Sequence, residues 1–286
     1  MTTRLTDVTS NYRRRKLVDS VMTGVAYVCT AVAVAALGFV LFYVVVRGLG
    51  AWNLEFFTST TKYFGEGGGI ANALYGTAVI VAFAALMGVP VGIMAGIYLA
   101  EYGENRLGNV VRFVADTMTG FPSIVLGLFV YGLLVLAYGF HGFAGSVALA
   151  VMMLPIVART TEEIIRLVPD SIREASLALG VPRWKTILRV VIPTAMSGII
   201  TGVILALARV AGETAPLIFT ILGNQFWNTD PFSGAMAAVS LFVFEASKSP
   251  YEAVQQTAWG GALVLVLIVL VLNLTARFIA SRGSVR

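Results

Sequence analysis

The chain is poor in the side chains that carry chemistry. Its 286 residues hold one cysteine, Cys29, and one histidine, His141. A single cysteine excludes an internal disulfide framework and a multi-thiolate metal site within the chain. Cys29 falls in the first apolar run and is expected to pack as a small hydrophobe. One histidine leaves nothing for a His-rich metal centre or an imidazole relay, and His141 reads as an interfacial residue. Charge is scarce as well: Asp, Glu, Lys and Arg make up 12% of the chain, about half the share in a soluble domain. No lysine follows a glycine, so the Gly-x-x-x-x-Gly-Lys-Ser/Thr loop is missing, and with it ATP binding of that kind. The run Gly67-Gly68-Gly69 has no strand before it and reads as a flexible loop. No nucleophile–base pair is recognisable. These gaps describe a non-enzymatic chain with no metal site and no cofactor of its own.

Apolar residues fill the space, at 58% of the chain, and several runs reach the ~20 residues that cross a bilayer core. The expected fold is an all-α integral membrane protein with six transmembrane helices. They are placed near Val21–Val46, Ala71–Ala100, Val110–Ala137, Ala144–Ala158, Ala195–Leu222 and Thr257–Ala280. Arg13-Arg14-Arg15-Lys16 precedes a run too long for a cleaved leader, which makes the first span a signal-anchor. With the amino terminus inside, only Arg47, Lys62 and Lys248 of the twenty basic residues lie outside, and Arg209 lies within a span. That bias puts both termini in the cytoplasm. It also explains the net charge of +5 without nucleic acid. Residues 1–20 and 281–286 form tails around a membrane domain at 21–280. Pro231–Phe244 is too short to span and is placed in an outer segment, about 223–256, beside the interfacial Trp227.

The basic connection at about 159–193 has its own organisation. Arg159 with Glu163 and Glu162 with Arg166 are i,i+4 pairs that extend the fourth helix past the membrane, up to Pro169. Ser171-x-x-Glu174 reads as a capping box, Gly180 as a helix stop and Pro182 as the start of the next helix. The short helix would show Ile172, Ala175, Ser176 and Leu179 on one face, small enough to enter another protein's groove. The next would set Trp184, Ile187, Leu188 and Val191 under the membrane domain. On local physics alone, an ordinary helical hairpin linking two spans is the favoured reading.

Spacing narrows that choice. Glu174-Ala175-Ser176-Leu177-Ala178-Leu179-Gly180, nine residues, then Val190-Val191-Ile192-Pro193 resembles the "EAA" loop of permease subunits of binding-protein-dependent ABC importers. It departs at Ser176, Val190 and Ile192. The resemblance implies a coupling helix between spans four and five, with Glu174, Ala175, Ser176, Leu179 and Gly180 meeting an ATPase subunit.

Arg209 and Glu213 stand near the middle of span five, one turn apart, where a charge costs on the order of 3 kcal/mol. They suggest either a neutralising pair or an anion pathway, since a guanidinium fork matches a tetrahedral oxyanion. Ala208-Arg209-Val210-Ala211-Gly212-Glu213-Thr214-Ala215-Pro216-Leu217 is similar to the signature of PstA-type permeases of phosphate importers. Residues 96–102, 120–127 and 154–163 agree with it. The resemblance implies Arg209, Glu213 and Thr214 at a phosphate pathway or gate. It further implies a PstC-like permease partner, a PstB-like ATPase dimer holding ATP and Mg, and a PstS-like phosphate-binding protein, in a bacterial inner membrane. Asp116 either lines the path or pairs with a nearby cation. Pro90 and Pro122 are expected to kink helices, and Gly88, Gly92 and Gly96 to form a close-packing face, within the chain or against its partner. Rival readings are a sister importer permease for sulfate or molybdate, and a secondary carrier.

Overall fold

The structure is a computed structural model that describes residues 4–65 and 68–283, with side chains from Tyr12 to Ser281. Gly67 of the glycine run and the outer ends of both tails lie outside the described residues. Contacts divide the chain after Arg47. The first unit is essentially one helix, α1 (Arg4–Leu49), which begins well before the expected start of span one. Its apolar side chains are exposed, as is Cys29, which therefore does not pack as a core residue.

The second unit is helical, with no strand among the described residues. In chain order it comprises α2 (Leu54–Thr58), α3 (Ala71–Glu101), α4 (Arg106–Gly120), α5 (Ser123–Val130), α6 (Leu136–Tyr138), α7 (Gly142–Arg166), α8 (Asp170–Ala178), α9 (Arg183–Thr186), α10 (Ile192–Ala211), α11 (Ala215–Thr220), α12 (Val239–Ala246) and α13 (Glu252–Gly283). Wider π-type turns join α5 to α6 and α9 to α10. Among the described residues, five helices are long and apolar enough to cross a membrane, and the count becomes six if the bent α4–α5 pair is one span.

Two expected spans are broken, each at a proline. The third is not one kinked helix: α4 and α5 meet at 104°. Pro122 drives Phe121 out of the helical region, to φ −72 and ψ 136, and then opens α5 from its own extended conformation. The fifth ends at Ala211, because the ring of Pro216 would collide with the carbonyl of Gly212 in a continuous helix. By contrast, α7 absorbs Pro155 and runs to Arg166, as the expected extension of span four requires. Pro231–Phe244 yields only the start of the short α12, preceded by a turn at 231–234 and irregular chain.

The core forms where α3 lies along α7. Gly88, Gly92 and Gly96 face Ala150, Val157 and Thr161, so the stripe closes a contact within the chain. A Cβ on Gly96 would sit 2.5 Å from the Thr161 Cβ and 2.6 Å from the Ala158 carbonyl oxygen, atoms that no side-chain rotation moves away. Gly96→Val is therefore expected to destabilise by about 1–3 kcal/mol, read as a lower midpoint in thermal unfolding of the purified protein.

At the end opposite the arginine-rich connection, a second core gathers Phe56, Ile70, Phe242 and Val254. Asn72 reaches from the start of α3 to Thr61 and to the Asn224 carbonyl, at 2.9–3.0 Å, and pins two loops together. Burial, helped by the Glu245 carboxylate, pushes the Tyr63 phenol up to about 12, so it stays protonated while its ring packs on Phe242. His141 is buried, with Nδ1 2.7 Å from the Gly139 carbonyl.

Candidate functional site

At the arginine-rich end, α8 and α9 form a small bracket beneath α3 and α7. The capping box does not form: Pro169 stands at the helix start with no side-chain cap, and Ser171 is exposed. The stop at Gly180 does form. Its φ of +77 is one that only glycine adopts freely. The Gly180 amide donates to the Leu177 carbonyl and the Val181 amide to Ser176, the paired bonds of a Schellman ending.

The helix faces also divide differently from the sequence pattern. Ile172 packs against Ile165 and Val191, and Ser176 is buried with its Oγ 2.9 Å from the Thr186 Oγ1. Glu174, Ala175 and Leu179 point outward, Leu179 being 83% exposed. Trp184 and Leu188 are exposed too, whereas Ile187 and Val191 are buried, so the second predicted face splits as well. The reason is that α8 has two contact surfaces: its own protein on one side and open space on the other.

Charge holds this bracket in place. The Arg173 guanidinium on α8 lies 2.9 Å from Glu101, the last residue of α3, and also donates to the Ile165 carbonyl in the last turn of α7 and to the Val168 carbonyl just beyond it. Arg183 donates to the Glu101 carbonyl and lies over the Tyr102 ring. Beside them opens a polar cavity of about 550 Å³ lined by Tyr102, Glu104, Arg166 and Asp170, among others.

A second ionic centre went unread in the sequence. Glu162 is 2% exposed and its carboxylate meets three arginines: Arg112 at 2.7 Å, Arg166 at 2.9 Å and Arg159 at 3.2 Å. Arg112 also caps the end of α3 through the Leu99 and Gly103 carbonyls. The Glu162–Arg166 and Arg159–Glu162 pairs have helical spacing, i,i+4 and i,i+3, whereas Arg112 has no sequence signal. Arg159 does not pair with Glu163; it reaches Asp116 on α4 at 3.0 Å instead. Asp116 thus has a cation partner at this end.

Arg209 and Glu213 are not one turn apart on a common helix, because α10 ends between them. No ion pair joins them among the described residues. Arg209 is exposed on the last turn of α10, where the helix dipole favours a cation. It borders a small cavity of about 40 Å³ with Met118, Thr119, Phe121, Leu126, Met152 and Ile156. The two broken spans therefore converge on this guanidinium, Phe121 from one break and Arg209 from the other. Glu213 is half-buried and its carbonyl accepts from Ser240 Oγ at 2.8 Å. Thr214 precedes α11 and its carbonyl accepts the Leu217 and Ile218 amides.

Residues 88–282 match the family described as "Binding-protein-dependent transport system inner membrane component". The matched stretch contains both ionic centres, the bracket and Arg209. The chain belongs to this permease family. Among its relatives is the "Phosphate transport system permease protein PstA" of Xylella fastidiosa (strain Temecula1 / ATCC 700964), 44% identical over 277 residues and covering 96% of each chain. The protein so named from Yersinia pestis is 47% identical over 246 residues, 85% of this chain and 83% of the relative. "PstA 1" of Mycobacterium tuberculosis (strain CDC 1551 / Oshkosh) is 42% identical over 280 residues, 94% of this chain and 91% of the relative. The permease is of the PstA type. In fold it is similar to an inward-facing MetNI methionine ABC transporter chain, with TM-score 0.56 and 20% identity over 75% of this chain and 94% of that one. A chain of a bacterial ABC transporter for the acidic polysaccharide alginate gives TM-score 0.53 and 16% identity, over 72% and 78%.

Proposed function

We propose that this permease carries inorganic phosphate across the bacterial inner membrane into the cytoplasm as one half of an ABC importer's membrane pathway. The observation that carries the reading is Arg209: an exposed guanidinium without an ion-pair partner among the described residues, at the point where two spans break. Exposure in the single chain suits a site completed by a second permease, PstC-like in chemistry. A guanidinium with free donors offers a phosphate paired, charge-assisted hydrogen bonds. Glu213 and Thr214 stand at the break just beyond and would shape the gate rather than neutralise the arginine.

The bracket α8–α9 would be the coupling element. Glu174, Ala175 and Leu179 face outward toward a PstB-like ATPase dimer, which binds the ATP and Mg that this chain has no loop to hold. The arginine-rich end lies in the cytoplasm on this reading, with both termini. The opposite end receives phosphate from a PstS-like binding protein. Ser176, turned inward, belongs to the bracket's own packing rather than to the ATPase contact.

The test is labelled phosphate uptake at low external concentration in cells lacking this chain, complemented with wild type or with Glu174→Ala or Gly180→Pro, with sulfate and molybdate as controls. Phosphate uptake alone should depend on the chain. Gly180→Pro should abolish uptake, because proline cannot take a positive φ. Uptake of sulfate or molybdate that collapses while phosphate uptake stays constant transfers the chain to a sister importer. Uptake that persists without ATP while ion gradients last identifies a carrier.

A further inference from the structure

We propose that Arg173 and Arg183 act on Glu101 as a clasp, and that the clasp passes the coupling movement of α8 directly to α3, alongside α7. The inference rests on the coupling role given to α8 above. By chain connection α8 is linked only to α7, through Leu167–Pro169, and to α9. The α7 link reaches α3 only through the packing of one helix on the other, whereas Arg173 joins α8 directly to a residue seventy-two positions earlier, through Nε at 3.1 Å and Nη2 at 2.9 Å to one Glu101 oxygen.

Three features make this a transmitting contact rather than a surface pair. Both side chains are largely withdrawn from water, at 5% exposure for Glu101 and 18% for Arg173. Separating them would strand a buried carboxylate, which is far costlier than breaking a hydrated pair. The bracket is held at two points: Arg173 binds the Glu101 side chain from α8, and Arg183 binds the Glu101 backbone from the first residue of α9. The Ser176–Thr186 hydrogen bond locks α8 to α9 between them. A pull on α8 therefore reaches Glu101 before the bracket itself can deform. From there α3 is rigidly laid along α7 by its glycine stripe. Arg173 and Arg183 are positioning residues on this account, and neither touches substrate.

The experiment uses the whole importer in liposomes, with binding protein outside and inorganic phosphate as the transported probe. Glu101→Gln and Arg173→Gln should leave binding-protein-stimulated ATP hydrolysis within about twofold of wild type, while phosphate moved per ATP falls at least tenfold. The double variant Glu101→Arg with Arg173→Glu should recover a third or more of the loss, and Arg173→Lys should fall between. An unchanged ratio in both single variants overturns the clasp. Hydrogen exchange on the purified complex supplies a reading independent of the substrate. Trapping the ATP-bound state should alter exchange at both 96–102 and 170–187 in wild type, but only at 170–187 in Glu101→Gln. A response at 96–102 that survives in that variant also overturns it. A wild-type complex that moves no phosphate sinks the substrate assignment instead, and the exchange pattern still decides the clasp.

Discussion

Arg209→Gln is expected to lower high-affinity phosphate uptake by about a hundredfold while leaving the amount of assembled importer unchanged. The size follows from two charge-assisted hydrogen bonds to an anion, each worth about 1.5 kcal/mol or more, with tenfold per 1.4 kcal/mol. The specificity of the effect follows from the geometry. Arg209 is exposed and makes no ion pair among the described residues, so its removal strands no buried partner. Gln keeps the length and polarity and loses the charge. Arg209→Lys should recover part of the uptake, since a point charge attracts phosphate without the planar fork. The measurement is initial uptake rate at micromolar phosphate, normalised to the chain's abundance in membranes. A rate within threefold of wild type for Arg209→Gln removes the guanidinium from the pathway.

Glu162→Ala should act in the opposite way, on the fold rather than on transport chemistry. The carboxylate is buried and three arginines from two helices converge on it, Arg112 on α4 and Arg159 and Arg166 on α7. Deleting it leaves three like charges facing one another around a buried position, at a cost of about 3 kcal/mol. That is the low end of the range, because Arg159 and Arg166 keep partial hydration and Asp116 still holds Arg159. Arg112 retains its carbonyl partners at the end of α3, so the damage should be a looser α4 rather than loss of α3. The expected result is a lowered unfolding midpoint and reduced steady-state chain in membranes. Glu162→Gln should be intermediate, because an amide oxygen still accepts from Arg112. A Glu162→Ala protein with unchanged midpoint and abundance refutes the view that this centre holds the end together.

The two variants separate what the sequence made visible from what it hid. Arg209 was conspicuous because a cation inside an apolar run has few reasons to exist there. Glu162 was not, since it sits in a polar stretch where a charge is ordinary. Its main partner, Arg112, is fifty residues away. Asp116 was read with both of its roles open, and only the meeting of α4 with α7 supplied Arg159. The capping box failed for a different reason. Ser171 and Glu174 have the right spacing, but the helix starts at Asp170 with Pro169 in the cap position, so Ser171 already lies inside the first turn.

Composition and periodicity by themselves determined that this is a membrane-spanning helical protein, because backbone in lipid must satisfy its own hydrogen bonds and only long apolar helices do so at this composition. They also placed the Gly180 stop and the α3 glycine stripe, both local requirements of backbone geometry. The EAA spacing and the span-five pattern carried the resemblance to the permease family. Pro122 and Pro216 are local signals for the breaks in spans three and five, but Pro90 and Pro155 lie inside unbroken helices. Only the tertiary structure therefore decided which prolines break a span, as it decided that Ser176 faces inward and that Glu101 and Glu162 gather arginines from distant segments. The reason is range: a helix start, stop or period is written in neighbouring residues, whereas which charges meet depends on how whole helices cross.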